Sequence, residues 1–322
     1  MLSFLLNRQQ LMTRPLLPTT IASIFMLLWV IIFMSTAPAI RAYLGGSFNP
    51  VHQGHIQMAM YVYNALADMA AKQQRTLKVS LLPNARSPFK DDTIDPNQRL
   101  AMLSLAIQGT PLHINELELW QPPPVYTIDS VRTLRQRYPH DNLIFIMGMD
   151  SARSLDKWKN GLELTDYVHL WIFNRHDDTN FLSITHHKNK SSHINQPLSQ
   201  QDSKQECNQD IAELLFQLPL SLQGQVTHSL ADITQPLNQH LTQSLESKAV
   251  LKNSAKGRIY IDPRPVSAIS STRVREQLTI NTTLPNTPFY PSNPPDLLAK
   301  WLNPTVYQYI IAHQLYSAAQ FR

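Results

Sequence analysis

Across residues 41–175, short apolar runs alternate with longer stretches in which apolar side chains return every three or four positions. The short runs fall at 42–44, 77–82, 113–119, 143–147 and 168–173, each with the length and composition of a strand. Between them Ile56, Ala59, Met60, Tyr63, Ala67 and Ala70 repeat at helical spacing, as do Leu100, Leu103 and Ile107 behind Asp95-Pro96, a pair suited to opening a helix. Strands joined by crossover helices predict an α/β chain with a parallel sheet. The same grammar returns near the C-terminus, with a strand at 258–261, a helix starting at 271–278 and a closing helix at 304–315.

Two stretches break this rhythm. Residues 21–34 are apolar except for Ser23, with Arg8 and Arg14 upstream. A bilayer span needs roughly 20 such residues, which Leu16, Leu17 and residues 37–40 could supply. Ala37-Pro38-Ala39 has the small-x-small form of a signal-peptidase site. The preferred reading is translation from Met34, ahead of a membrane anchor and then a cleaved export signal. The second stretch, 176–250, is rich in Gln, Asn, Ser and His, and its aromatics are Phe181 and Phe216. It buries too little apolar surface to offset its chain entropy, so it is expected to be mostly disordered, with one short helix near 211–216. His186, His187 and His193 there lack a carboxylate or thiol at metal-site spacing, and Cys207 has no catalytic partner signature. The expected organisation is a leader over 1–40, one domain formed by 41–175 and 251–322, and a low-complexity insertion over 176–250.

Composition narrows the classes. With 43% hydrophobic and 16% charged residues the chain fills a real core, and a single cysteine excludes a disulfide scaffold or a thiolate metal cluster. The formal charge of +5 suits a nucleic-acid binder or an enzyme of phosphorylated substrates equally. Lys and Arg are scattered rather than gathered into an aromatic-interleaved stripe, which weighs against nucleic acid.

The chemistry concentrates in two strings. Gly45-Gly46-Ser47-Phe48-Asn49-Pro50-Val51-His52-Gln53-Gly54-His55 lies between the first strand and the first helix and holds three of the chain's eight glycines. The paired glycines allow close backbone approach to a ligand, and the helix start beyond offers free N–H groups to phosphate, with two imidazoles three positions apart. Neither the P-loop nor the dinucleotide G-x-G-x-x-G spacing is present. The second string, Ile269-Ser270-Ser271-Thr272-Arg273-Val274-Arg275, again precedes a helix and offers hydroxyl, N–H and guanidinium donors.

Together these strings resemble the GG[ST]F[DN]PxHxGH and ISSTxxR signatures of the nucleotidyltransferase superfamily, distant relations of the HIGH motif of class I aminoacyl-tRNA synthetases. Further boxes resemble the bacterial nicotinate-nucleotide adenylyltransferases across most of 41–175 and 257–316. These are Pro83-Asn84 with Pro88-Phe89-Lys90, Gln98-Arg99, Tyr126-Thr127, the turn Gly148-Met149-Asp150-Ser151, Trp158 and Arg175. The resemblance implies a Rossmann-like, doubly wound parallel sheet and adenylyl transfer from ATP to nicotinate mononucleotide in NAD biosynthesis. It implies catalytic roles for His52, His55, Lys90 and Arg275. ATP would bind at Gly45, Gly46, Ser47, Phe48, Gly54, Gly148, Asp150, Ser270, Ser271 and Thr272, and the mononucleotide at Asn49, Asn84, Tyr126, Thr127, Trp158 and Arg175. Mg²⁺ would arrive with ATP, with no metal held by protein ligands. The partners implied are these two small molecules, with no nucleic acid, no membrane unless the leader is translated, and room for a homo-oligomer. The location implied is the cytoplasm or, with the leader, an inner-membrane tether facing it. Two departures stand out: Phe89 replaces the usual His before the basic residue, and Val125 replaces Ser before Tyr126. The alternatives are a sibling enzyme using nicotinamide mononucleotide or phosphopantetheine and, from another class, a membrane-tethered or nucleic-acid-binding interaction protein.

Overall fold

In the computed structural model the alternation of apolar runs becomes a sheet whose order is β3-β2-β1-β4-β5-β7-β6, every pair parallel. The structure describes residues 37–85, 94–176, 213–237, 256–282 and 296–316. The strands are β1 (Ile40–Gly46), β2 (Leu77–Pro83), β3 (His113–Ile114), β4 (Asn142–Gly148), β5 (His169–His176), β6 (Val226–Thr227) and β7 (Ile259–Ser267). The helices are α1 (Gln53–Lys72), α2 (Pro96–Ala106), α3 (Thr127–Arg137), α4 (Met149–Ala152), α5 (Leu220–Gln223), α6 (Leu230–Ile233), α7 (Ser271–Thr282), α8 (Asp296–Trp301) and α9 (Pro304–Ala312), with 3-10 turns at Leu155–Lys157 and Gly161–Asp166.

Central β4 is buried along its whole length, as a parallel strand covered on both faces must be. Its side chains still alternate by face. Ile144 and Ile146 join Ala42 and Leu44 of β1 in a core shared with α1, α2, α7, α8 and α9, whereas Leu143, Phe145 and Met147 join Tyr43 in a second core against α3. This is a doubly wound, Rossmann-like fold. Helix starts follow local chemistry: the Asp95 carboxylate accepts from Asn97 N at 2.7 Å ahead of Pro96, and Asn303 does the same for Thr305 N at 2.9 Å ahead of Pro304.

Three expectations change. The strand expected over 113–119 ends after Ile114, because Asn115 Oδ1 accepts from Leu117 N at 3.0 Å and turns the chain. Helix α3 was not anticipated; its apolar positions Ile128, Val131 and Leu134 are only every third residue of a strongly polar segment. Residues 213–237 of the expected insertion are packed rather than disordered. Leu214, Leu218 and Leu222 enter the second core, Ile233 enters the first, and β6 pairs with the edge of β7. These buried side chains order the stretch, while its other large apolar residues Phe216 and Leu220 stay exposed. A helical turn at 213–216 meets the expected short helix. His186, His187, His193 and Cys207 lie outside the described residues, as does the apolar run at 21–34. Ile40 already belongs to β1 and Ala39 N donates to Asp141 Oδ1 at 2.9 Å, so these two positions serve the sheet rather than lengthening an apolar span. Among the described residues no helix is long and apolar enough to cross a membrane.

Candidate active site

The strand order reverses between β1 and β4, and in such sheets the crevice beyond the C-terminal ends at that point is where ligands bind. A cavity of about 470 Å³ lies there. Leu44, Gly45, Gly46, Ser47 and His55 line it from β1 and the start of α1, Asn84 from the end of β2, Glu118 from the turn after β3, and Thr127 from α3. Phe145, Met147, Gly148, Asp150, Ser151, Ser154, Lys157 and Trp158 close it from β4 and the turns that follow.

The glycines are required by packing. A Cβ on Gly45 would stand 2.5 Å from Phe145 Cζ, and one on Gly46 would stand 3.1 Å from the Phe48 ring. The sharp turn itself falls at Phe48, a non-glycine residue with φ of 47°. Phe48 is fully buried and meets the His55 ring edge-on at 4.8 Å. It therefore supports the loop from beneath rather than lining the cavity.

His52 is the N-cap of α1 and His55 its third residue. His52 N donates to His55 Nδ1 at 3.3 Å, so the neutral His55 ring carries its proton on Nε2 and has that N–H as its donor. The two rings stack at 3.6 Å; both are buried, but only His55 belongs to the cavity lining. Gly54 allows α1 to approach β7, since a Cβ there would meet Ser267 O at 3.2 Å.

The late string meets the early one directly. Arg275 donates to Asn49 O at 2.7 Å and Ser271 Oγ to Pro50 O at 2.9 Å, while Tyr316 Oη donates to Asn49 Oδ1 at 2.8 Å. Asn49 is thus held through both backbone and side chain, and burial pushes the Tyr316 phenol well above its ordinary value. Ser270, Ser271, Thr272, Arg275, Asn49, Phe48, His52 and Gly54 stand beside the cavity lining rather than in it. A second brace was not anticipated: fully buried Arg99 donates to Ser47 O at 2.9 Å, Asn84 O at 2.7 Å and Ala85 O at 2.6 Å, joining the loops after β1 and β2. Burial draws its pKa below the ordinary arginine value.

Tyr126 caps α3 without entering the lining, and its ring carries Lys159 Nζ at 4.2 Å from the centroid. Arg175 sits on β5 in register with Val266, past an irregularity after Phe173; its side chain, like the whole of Lys90, lies outside the described residues. Glu118 and Lys157 were not anticipated. Glu118 fell inside a run read as strand, and Lys157 had no signal beyond its place beside Trp158. Glu118 is only 6% exposed, and burial pushes its carboxyl up to about 7 against a smaller opposing contribution from the Ser130 hydroxyl. Among the described residues no three His, Cys, Asp or Glu side chains gather as a metal site.

Comparison with known proteins gives a consistent picture. A family model described as cytidylyltransferase-like matches residues 43–277. A probable nicotinate-nucleotide adenylyltransferase of Sodalis glossinidius is 38% identical over 144 residues, covering 43% of this chain and 62% of that protein. One from Idiomarina loihiensis is 27% identical over 279 residues, covering 86% of this chain and 99% of its own length. The match thus spans under two thirds of the Sodalis relative. The solved structure of Plasmodium falciparum nicotinic acid mononucleotide adenylyltransferase complexed with NaAD aligns with 86% of this chain and 97% of its own at 15% identity, with a TM-score of 0.51, and shares the fold.

Proposed function

The chain belongs to the cytidylyltransferase-like family, and from that premise we propose that it transfers the adenylyl group of ATP to nicotinate mononucleotide, releasing pyrophosphate and supplying NAD biosynthesis. One observation carries this reading. A single cavity at the switch point gathers Gly45, Gly46, Ser47 and His55 with Gly148 and Asp150, and also with Asn84, Thr127 and Trp158. The first six suit a nucleoside triphosphate and the last three a flat-ringed mononucleotide.

The 5′-phosphate of the acceptor attacks the α-phosphorus of ATP. An O–P bond forms there as the bond to the bridging oxygen breaks, and that electron pair leaves with pyrophosphate. A phosphate monoester is already anionic at neutral pH, so no general base is needed; positioning and charge neutralisation provide the rate. His55 donates Nε2–H to the phosphate oxygens, and its buried neighbour His52 keeps the ring oriented. Gly45, Gly46 and Ser47 present backbone at close range. Gly148 and Asp150 receive the adenosine, and Trp158 stacks on the pyridine ring with Thr127 and Asn84 at its edge. Ser271 and Arg275 act through the early loop by holding Pro50 and Asn49, joined by Tyr316, with Phe48 and Gly54 setting the loop's shape. Ser270 and Thr272 start the helix that carries Arg275. Lys90, Tyr126 and Arg175 remain assigned to the pyrophosphate and mononucleotide on the motif alone. Mg²⁺ would arrive with ATP as part of that substrate and would supply charge neutralisation on its phosphates. ATP as co-substrate places the activity in the cytoplasm, or on a tether facing it if the leader is translated.

The test is pyrophosphate release from MgATP with nicotinate mononucleotide, nicotinamide mononucleotide or phosphopantetheine, run beside salt-dependent gel retardation of RNA. Turnover highest with nicotinate mononucleotide and no retarded band is expected. Turnover restricted to another acceptor, or RNA binding without turnover, would contradict the reading.

A further inference from the structure

Glu118 is a buried carboxyl in a cavity proposed for two polyanions. The turn after β3 presents it, with Leu119 N bonded to Glu116 O at 3.2 Å and Gln121 N to Glu118 O at 3.0 Å. The other ionisable groups of the lining are His55 from α1, Asp150 from α4 and Lys157 from the following 3-10 turn. Among the described residues no cation pairs with Glu118, and its polar neighbour is the uncharged Ser130 of α3. An ionised carboxylate there would be desolvated, unpaired and set against phosphates, three unfavourable circumstances that a bound proton removes. A carboxylic acid kept neutral inside a binding cavity is a hydrogen-bond donor that an ionised carboxylate cannot be.

We propose that Glu118 reads the substituent on the pyridine ring of the acceptor: protonated, it donates to the carboxylate of the nicotinate ring, and ionised, it repels that group while accepting from the carboxamide of nicotinamide. The inference rests on the acceptor assignment above. Its place follows from its neighbour: Ser130 stands one helical turn beyond Thr127 on α3, and Thr127 and Trp158, the two residues assigned above to the pyridine ring, share the lining with Glu118. An O–H···O⁻ bond is among the strongest neutral-to-ion contacts available, and replacing the proton by a negative charge turns it into repulsion. Preference for the acid over the amide is therefore set by proton occupancy of Glu118.

The experiment is the ratio of kcat/KM for nicotinate mononucleotide to that for nicotinamide mononucleotide, with MgATP, from about pH 6 to about pH 9. Ionisation of ATP, of the acceptor phosphate and of His55 is common to both reactions and cancels in the ratio. The ring carboxylate stays ionised throughout. The ratio should be flat below pH about 7 and fall up to about tenfold per pH unit above it. Glu118→Gln, neutral at every pH, should keep the acid preference and lose the slope. A wild-type ratio independent of pH, or a Glu118→Gln ratio with the wild-type slope, would overturn the role of Glu118 while leaving the adenylyltransferase reading standing. Absence of pyrophosphate release with either mononucleotide would overturn both. The wild-type profile decides the matter even if the variant fails to fold.

Discussion

At the C-terminal ends of the strands, loops border a cavity and their polar groups face it; at the N-terminal ends, polar side chains turn inward and are spent on backbone. Asn142, the first residue of β4, donates to Ile233 O at 2.7 Å and Gln235 O at 2.9 Å. His169, the first of β5, accepts from Arg258 N at 2.9 Å through Nδ1 and bonds Gln235 O through Nε2. Arg75 joins Pro38 O and Thr234 O, and buried Arg135 reaches Tyr167 O and Asp141 O. Buried polar groups at one end thus fasten residues 233–235 to the sheet, while those at the other are left for ligands or for bracing the loops that meet them. Chemistry and stability should therefore separate between the two ends under mutation.

The largest effect belongs to the cavity. His55→Ala removes the proposed phosphate donor and should lower kcat by roughly 10²–10³, worth about 2.7–4 kcal/mol of transition-state stabilisation, in a protein that still folds although the lost contacts with His52 and Phe48 lower its urea midpoint. Steady-state kinetics beside a urea melt would show it. Asn142→Ala is the counterpart at the opposite end: the buried Ile233 O loses its side-chain donor and Gln235 O keeps only its bond to His169, so unfolding free energy should drop by about 2 kcal/mol with kcat preserved. A kinetic defect in a fully folded Asn142→Ala protein would show that the two ends are coupled.

Titration sharpens the contrast, because each end holds a displaced group that titrates between about pH 4 and 7. Burial lowers His169 from 6.5 to about 4, so the unfolded chain takes up a proton first and stability is lost as pH falls from about 6.5 to about 4. Glu118 is raised from 4.5 to about 7, so it favours the folded state at low pH and that stability is lost as pH rises through the window between. The two nearly offset in the wild type between about pH 4.5 and 6.5. Glu118→Gln should expose the histidine, losing up to about 3 kcal/mol on acidification across its window. Denaturant melts at several pH values would measure this, and an acid-insensitive Glu118→Gln protein would remove His169 from the account.

Smallest is Tyr316→Phe, which deletes the bond to Asn49 Oδ1. About 1 kcal/mol of stability should go, with only a few-fold loss of kcat/KM. A loss as large as that of His55→Ala would place Asn49 in contact with substrate.

The same comparison explains what could be read from the chain. The C-terminal end was legible because its cavity residues come at close sequence spacing: Gly45, Gly46, Ser47 and His55 stand in one string, and Gly148 and Asp150 in another. The late string was legible as a partner of the early one, but its geometry was not, since nothing in Ser271 or Arg275 says that they bond the carbonyls of Pro50 and Asn49 rather than a phosphate. Glu118 was hidden because an apolar-polar run over 113–119 reads as strand until Asn115 turns it. The N-terminal end was illegible for a different reason. Leu214, Leu218, Leu222 and Ile233 are sparse in a polar stretch, and what orders them is a sheet edge and the side chains of Asn142 and His169, far away in sequence. Local composition carries no trace of such partners.

The account is tested most directly by a crystal structure with nicotinate adenine dinucleotide bound. It predicts the dinucleotide's linked phosphates against Ser47 and His55, its pyridine ring over Trp158 with the ring carboxylate toward Glu118, and residues 213–237 as in the free chain. A dinucleotide seated at the N-terminal ends of the strands, or one in the cavity with its phosphates turned away from His55, would contradict it.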